Sequence, residues 1–285
     1  DRRVEGRRRG RIAEHRFISM NEISKSIQTG SSPKPVGHQI HYYRQIGSTN
    51  DEAFRLAQAG APHGTALIAE AQTAGKGRMQ RTWHSPGGAN LYTSVILRPD
   101  FEPARAPQIA IAAGVAVART IDPFCPGRVE LKWPNDVLLG GKKVCGILAQ
   151  MKLSGGAVDF VVLGIGINID LKRDAFPPDL RDIATSLCLE TQKEISRDAL
   201  SIRLYENLTT WYTTLRDSGF EPVRSAWLGY APMIGRDVSV RFENEVMTGR
   251  AVGIDEEGSL ILVAADGKSI KVSAGDATIL KKDND

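Results

Sequence analysis

Residues 70 to 90 read Glu-Ala-Gln-Thr-Ala-Gly-Lys-Gly-Arg-Met-Gln-Arg-Thr-Trp-His-Ser-Pro-Gly-Gly-Ala-Asn. Four glycines share this stretch with Lys76, Arg78, Arg81 and His84, between the apolar runs 65–71 and 91–97. A polar loop of that length between two buried strands is uncommon as a mere connection and is more often a binding loop or lid. Gly75 and Gly77 permit close backbone approach, and Lys76, Arg78 and Arg81 surround that backbone with cationic donors. The chemistry on offer is an anion cradle for phosphate or carboxylate, against the plainer reading of a solvated basic turn. It is not a Walker A loop, because Gly77 follows Lys76 where Ser or Thr is needed and the G-x-x-x-x-G-K spacing is missing. Ser48-Thr49-Asn50 precedes a helical pattern. These residues read as a cap, or as spare hydroxyl and amide groups for a polar ligand. Gly164 and Gly166 interrupt an apolar strand, a sign of close approach by a ligand or another backbone.

These residues need elements to position them. A first strand over 38–46 leads to a helix from Thr49 to Gly60, where Thr49 and Glu52 have capping-box spacing. Residues 65–71 and 91–97 read as strands on either side of the loop. Residues 107–120, apolar nearly all round, read as a helix buried against a sheet. A strand over 128–133 turns at Pro134-Asn135-Asp136. Gly140-Gly141 then makes a hairpin into 142–151, and 158–169 is a near-continuous apolar strand. Residues 170–195, with Pro177-Pro178, read as a long loop holding a short helix at most. Ser196 caps a helix from Arg197 to about Arg216, and a shorter one holds Trp227. From Met233 the pattern changes to four short alternating strands, a small barrel-like module.

The chain has 285 residues, 41% hydrophobic and 25% charged, which suits a large domain plus a small one. No apolar run approaches the ~18 residues of a membrane helix, so no membrane partner is expected. Cys125, Cys145 and Cys188 are odd in number and lack C-x-x-C spacing, which fits reduced thiols in the cytoplasm. Five scattered histidines make no zinc pattern. Residues 1–37 hold nine Lys or Arg against four Asp or Glu, whereas 38–285 hold 28 against 29. The excess positive charge therefore belongs to an N-terminal arm that reads as disordered. The expected divisions are this arm at 1–37, a catalytic domain at 38–232 and a C-terminal module at 233–285.

Four stretches, taken together, resemble the biotin–protein ligases, also called biotin–[acetyl-CoA-carboxylase] ligases. They are Ser48-Thr49-Asn50, the loop from Gln72 to Trp83, Lys132-Trp133-Pro134-Asn135-Asp136, and Lys143-Val144-Cys145-Gly146-Ile147-Leu148. The resemblance covers about 38–282. It implies an α/β (α+β) fold: a mixed-sheet catalytic domain like that of class II aminoacyl-tRNA synthetases, and a small SH3-like β-barrel. It also implies a two-step reaction. Biotin and ATP with Mg²⁺ give biotinyl-5′-AMP, and a lysine of a biotin carboxyl carrier domain then takes the biotinyl group.

By the same resemblance, Arg78, Lys132, Asp136 and Lys143 carry the chemistry. Ser48, Thr49, Asn50, Gln72, Gly75, Lys76, Gly77, Arg78, Arg81, Trp83, Lys132, Asn135, Gly146, Gly164, Gly166 and Asn168 bind biotin or its adenylate. Magnesium comes on the ATP phosphates, with no all-protein cage. Fixed cations suit a step that brings a carboxylate against a triphosphate. The chain departs from the family loop at Lys76, where Arg is common, and at Gln80, where Gly is common. Gln150 stands where an acidic residue is usual.

Lipoate or octanoate ligases share the fold but lack this motif combination. Some biotin ligases are also DNA-binding repressors. Residues 1–37 show no three-helix apolar pattern, so a monofunctional ligase without a specific DNA partner is expected, as a monomer or weak homodimer. A non-enzymatic adaptor built on the barrel is at odds with the full set of loop motifs.

Overall fold

The computed structural model describes residues 35–280. The arm expected at 1–37 lies outside the described residues except for its last three. Those three are packed: Pro35, Val36 and Gly37 are buried, and the Val36 N–H donates to Thr209 Oγ1 at 3.0 Å. These three residues therefore pack with the body although the charge pattern groups them with the arm, because Val36 is an isolated apolar residue that composition cannot separate from its polar neighbours.

In chain order the elements are β1 (Gln39–Ile46), α1 (Thr49–Gln58), β2 (Thr65–Gln72), β3 (Asn90–Leu97), α2 (Ala106–Ile121), β4 (Val129–Lys132), β5 (Asp136–Leu139), β6 (Lys142–Ser154) and β7 (Ala157–Asn168). There follow α3 (Leu187–Thr191), α4 (Arg197–Ser218), α5 (Glu221–Leu228) and strands β8 (Asp237–Phe242), β9 (Glu245–Ile254), β10 (Leu260–Val263), β11 (Ser269–Val272) and β12 (Asp276–Ile279). Seven strands form a mixed sheet in the order β1-β2-β3-β7-β6-β5-β4. β1 and β2 run parallel through the α1 crossover, and the other pairs are antiparallel.

Strand residues alternate between faces. On one face Val95, Leu163 and Ile165 join Val115, Val117 and Leu204 of α2 and α4 in the main core. On the other, Ala53 and Ala57 of α1 pack on Leu67, Ile96, Phe160 and Val162. α1 covers only part of that second face, and its N-terminus stops above Gly164. The N-cap is Ser48, whose hydroxyl accepts from the Asp51 N–H, and not Thr49 as the capping-box spacing suggests. Gln72 Oε1 takes both the Thr49 N–H at 2.8 Å and its hydroxyl at 3.1 Å, so Thr49 is already engaged. Glu52 reaches instead to Arg55.

The C-terminal strands form an antiparallel sheet in the order β11-β10-β9-β8-β12. This is the SH3-like module, with five strands where the alternation shows four. β12 is four residues long and pairs with β8, too short to stand out without its partner. The module packs on the turn between β4 and β5. Trp133, 2% exposed, donates its indole N–H to the Gly258 carbonyl at 3.0 Å, and Gln108 Nε2 donates to the Glu256 carbonyl at 2.6 Å. Gly258 has φ +85°, a conformation that disfavours any side chain there. Among the described residues no helix is long and apolar enough to cross a membrane.

Trp133→Phe keeps most of the packing but leaves the buried Gly258 carbonyl without its donor. A loss of about 1–3 kcal/mol is expected, read as a lower urea midpoint at unchanged slope. An unaltered midpoint means that this hydrogen bond does not hold the module against the turn.

Candidate active site

The uncovered part of the second sheet face holds a cavity of about 730 Å³, a size usual for small-ligand sites. Its floor is nearly bare. Gly164, Gly166 and Gly146 present no side chain, and their strand neighbours line up, with Gly146 opposite Gly166. A Cβ at Gly164 would lie 2.0 Å from Asn50 Oδ1, and one at Gly166 would lie 2.4 Å from Trp83 Nε1. A Cβ at Gly146 would meet Trp83 Cζ3 at 2.9 Å. The glycines therefore admit the Asn50 amide and the Trp83 indole, which become the working surface of the floor. The Trp83 indole nitrogen is buried with no hydrogen-bond partner among the described residues.

One end of the cavity is polar and neutral. Ser94 Oγ lies 2.6 Å from Asn50 Oδ1 and 2.8 Å from Thr49 Oγ1. Asn50 Nδ2 donates to Gln150 Oε1 at 3.1 Å. The Gln150 amide oxygen is the acceptor that orients the Asn50 amide. Ser48, Thr49, Asn50 and Gln72 all line this end.

The other end is charged. Lys143 Nζ lies 2.6 Å from Asp136 Oδ1 and 5.4 Å from the centre of the Trp83 ring. Asn135 donates to the Ile147 carbonyl at 2.6 Å, which fixes the turn to β6. Lys132 lines the cavity, and its ammonium has no ion pair or hydrogen bond among the described residues. Beyond the floor, Asn168 lines the cavity and donates to the Thr185 carbonyl at 3.0 Å. Leu171, Phe176, Leu180 and Ile183 form a wall. That wall belongs to the stretch 170–195, expected to hold a short helix at most; it holds α3 and two 3-10 turns, Arg173–Ala175 and Pro178–Leu180, and its apolar residues carry no period to mark them as a lining.

The loop 73–85 folds as a small hairpin over the charged end. Lys76 bridges to Thr82, the Trp83 N–H donates to the Gly75 carbonyl at 2.9 Å, and the Gly77 N–H donates to the Arg81 carbonyl at 2.7 Å. Met79 and Gln80 at the tip have φ of 52° and 59°. These left-handed conformations disfavour side chains. Lys76 pairs with Asp51 at 2.6 Å. Arg78 Nη1 donates to Asn135 Oδ1 at 3.1 Å and to the Gly275 carbonyl at 3.2 Å. Burial pulls the Arg78 guanidinium below its ordinary value, against the opposing pull of Asp276 and Asp136; an arginine remains cationic regardless.

The residues predicted from sequence come together here with one exception. Gly75 is buried and does not line the cavity. It lies against Gln72, Trp83 and Ser85, at the neck of the loop. Sequence reasoning missed Asp276 and Thr278 of β12, which also line the cavity. Asp276 faces both Arg81, at 2.7 Å, and Arg78, at 3.4 Å. Its signal was a single acidic residue about 200 positions from its partners, which no local pattern exposes. Among the described residues no group of three His, Cys, Asp or Glu side chains is placed to hold a metal ion.

The comparisons with known proteins converge on this arrangement. Residues 42–168 match the model of the Biotin/lipoate A/B protein ligase family, and 233–279 match that of the Biotin protein ligase C terminal domain. The chain is 38% identical over 247 residues to the bifunctional ligase/repressor BirA of Bacillus subtilis, covering 86% of this chain and 76% of that protein. It is 34% identical to the biotin–[acetyl-CoA-carboxylase] ligase of Mycobacterium tuberculosis, over 85% and 90% of the two chains. The chain belongs to the biotin protein ligase family. Two solved structures of biotin protein ligases share the fold. The Aquifex aeolicus enzyme, solved in complex with biotin and ATP, superposes with a TM-score of 0.73 at 28% identity, covering 86% of this chain and 99% of that one. The Leishmania major ligase, solved with biotinyl-5-AMP, gives 0.57 at 25% identity, over 83% and 99%.

Asp276→Asn removes the charge that holds two arginines of the loop of this ligase. Trypsin is expected to cut after Arg78 and Arg81 about 3- to 10-fold faster, the range for losing a partly exposed ion-pair network. High salt should narrow the difference. Cleavage at the wild-type rate means that Asp276 does not restrain the loop.

Proposed function

We infer that this chain joins biotin to a specific lysine of a biotin carboxyl carrier domain, through biotinyl-5′-AMP. The observation that carries the reading is the polarity of one continuous cavity. Its neutral end matches a ring urea, with two N–H donors and a carbonyl. Its cationic end matches a carboxylate meeting a triphosphate. Between them the Trp83 indole, packed on Gly146 and Gly166, offers an acyl chain an apolar surface.

In the first step a biotin carboxylate oxygen attacks the α-phosphorus and pyrophosphate leaves. Both reactants are anionic, so fixed positive charge lowers the barrier. Lys132, without a competing carboxylate among the described residues, is assigned to that charge. Arg78, carried on the loop, is assigned to the adenylate. Magnesium is assigned to the ATP phosphates. In the second step the amine of the acceptor lysine attacks the acyl carbon and AMP leaves, forming an amide. The amine must lose protons on the way, and Asp136, held against Lys143, is assigned to orient that lysine and to accept a proton. Closure of the 73–85 loop keeps water from the mixed anhydride. Lipoate and octanoate carry no urea and would leave the neutral end without partners, an expensive mismatch for a built polar site.

Biotin-dependent exchange between ATP and pyrophosphate, followed by labelling of a carrier domain, tests the reading. Lipoate in place of biotin should support no exchange. Lys132→Ala should lower exchange about 100-fold or more, the scale for removing one preorganised charge-stabilising group, with little change in the unfolding midpoint. Exchange within a few-fold of wild type removes Lys132 from the reaction centre.

A further inference from the structure

Ser85 is 7% exposed and lies behind the cavity, not on its surface. Its hydroxyl donates to the Trp83 carbonyl at 2.9 Å and accepts from Gln72 Nε2 at 3.0 Å. Its carbonyl accepts the Gln72 N–H at 3.2 Å. Gln72 ends β2 at the entry of the loop, and Trp83 and Ser85 lie at its exit. The Gly75 carbonyl accepts the Trp83 N–H across the same neck. The packing leaves no slack: a Cβ at Gly75 would lie 2.5 Å from Ser85 Oγ, 2.6 Å from the Trp83 carbonyl and 3.1 Å from Gln72 Nε2.

The Gln72 amide is thereby held at both ends. Its oxygen accepts from the Thr49 N–H and hydroxyl, and one of its two Nε2 hydrogens goes to Ser85. The second is left for whatever fills the neutral end of the cavity. A ligand that engages this hydrogen acts on an amide of the loop's entry residue that is already tied, through the Ser85 hydroxyl, to the Trp83 carbonyl at the loop's exit. We propose that Ser85 is a positioning residue that couples occupancy of the neutral end of the cavity to closure of the 73–85 loop, acting through Gln72. The inference rests on the reading of that end as the biotin site. It assigns a function to a residue that touches no substrate, and it gives Gly75 the role of admitting the knot.

The test measures biotin affinity by calorimetry and loop accessibility by trypsin, in the wild type, Ser85→Ala, Gln72→Ala and the double variant. Ser85→Ala should weaken biotin about 5- to 10-fold, the scale of one neutral hydrogen bond. In the Gln72→Ala background the same change should shift affinity less than about twofold, because partners acting through one group are not additive. Saturating biotin should slow cleavage of the wild-type loop and fail to protect the loop of Ser85→Ala. Gly75→Ala, which crowds the knot with Ser85 present, should reproduce both effects, so the result does not hang on one variant. If Ser85→Ala and Gly75→Ala bind biotin and gain protection as the wild type does, the coupling is overturned. The same holds if the Ser85→Ala penalty persists undiminished without Gln72. A wild-type protein that does not bind biotin overturns the reading of the activity, and the coupling with it.

Discussion

The site depends on the bareness of one sheet face. Gly146, Gly164 and Gly166 lie on neighbouring strands, and side chains from elsewhere occupy the space where their own would stand. A methyl group at Gly164 or Gly166 would collide with Asn50 or Trp83 at 2.0–2.4 Å. The opposite face of the same strands is ordinary core, with Leu163 and Ile165 packed under α2 and α4. The alternation of a strand thus separates stability from function within single residues of sequence. It also explains how a near-continuous apolar strand can floor the cavity: Leu163 and Ile165 pack on the other face, and the glycines beside them face the cavity.

Charge is distributed over this floor with a division of labour. Lys143 is matched by Asp136 and Arg81 by Asp276, whereas Lys132 has no counter-charge among the described residues. A paired cation is a positioned group; one without a local partner has most to gain from an anionic ligand. The loop carries the remaining cations and is tied down at several points, to Asp51 in α1, to Asn135 in the β4–β5 turn and to Asp276 in the C-terminal sheet. Two left-handed residues at its tip work against the closed shape. A segment held by partly exposed ion pairs and opposed by backbone strain opens at lower cost than one packed in a core.

The C-terminal module is part of the site and not an appendage. One turn of it receives the indole of Trp133, next to Lys132, and its last strand supplies Asp276. The side chains assigned to the reaction are consequently held from two sides: by the strands of the large sheet beneath and by the small sheet alongside. This arrangement explains why the β4–β5 turn can be short and still place Lys132, Asn135 and Asp136 in one cavity.

Much of this was legible in the sequence. The element order follows from local periodicity, glycine pairs and helix caps, which act over a few residues. The four motifs marked the family, because Lys132 to Asp136 and the glycine-rich loop are contiguous stretches. Tertiary structure alone decided the rest. Ser48 caps α1 because Gln72, on another strand, has already taken Thr49. Gly75 belongs to the neck of the loop because Ser85 and Trp83 close on it. Val36 joins the core, and β12 exists as a strand, only through partners far along the chain. Asp276 reaches two arginines nearly 200 residues away. Local pattern records what the backbone prefers over a turn or two, whereas hydrogen bonds and ion pairs between distant segments exist only once the chain has brought them together.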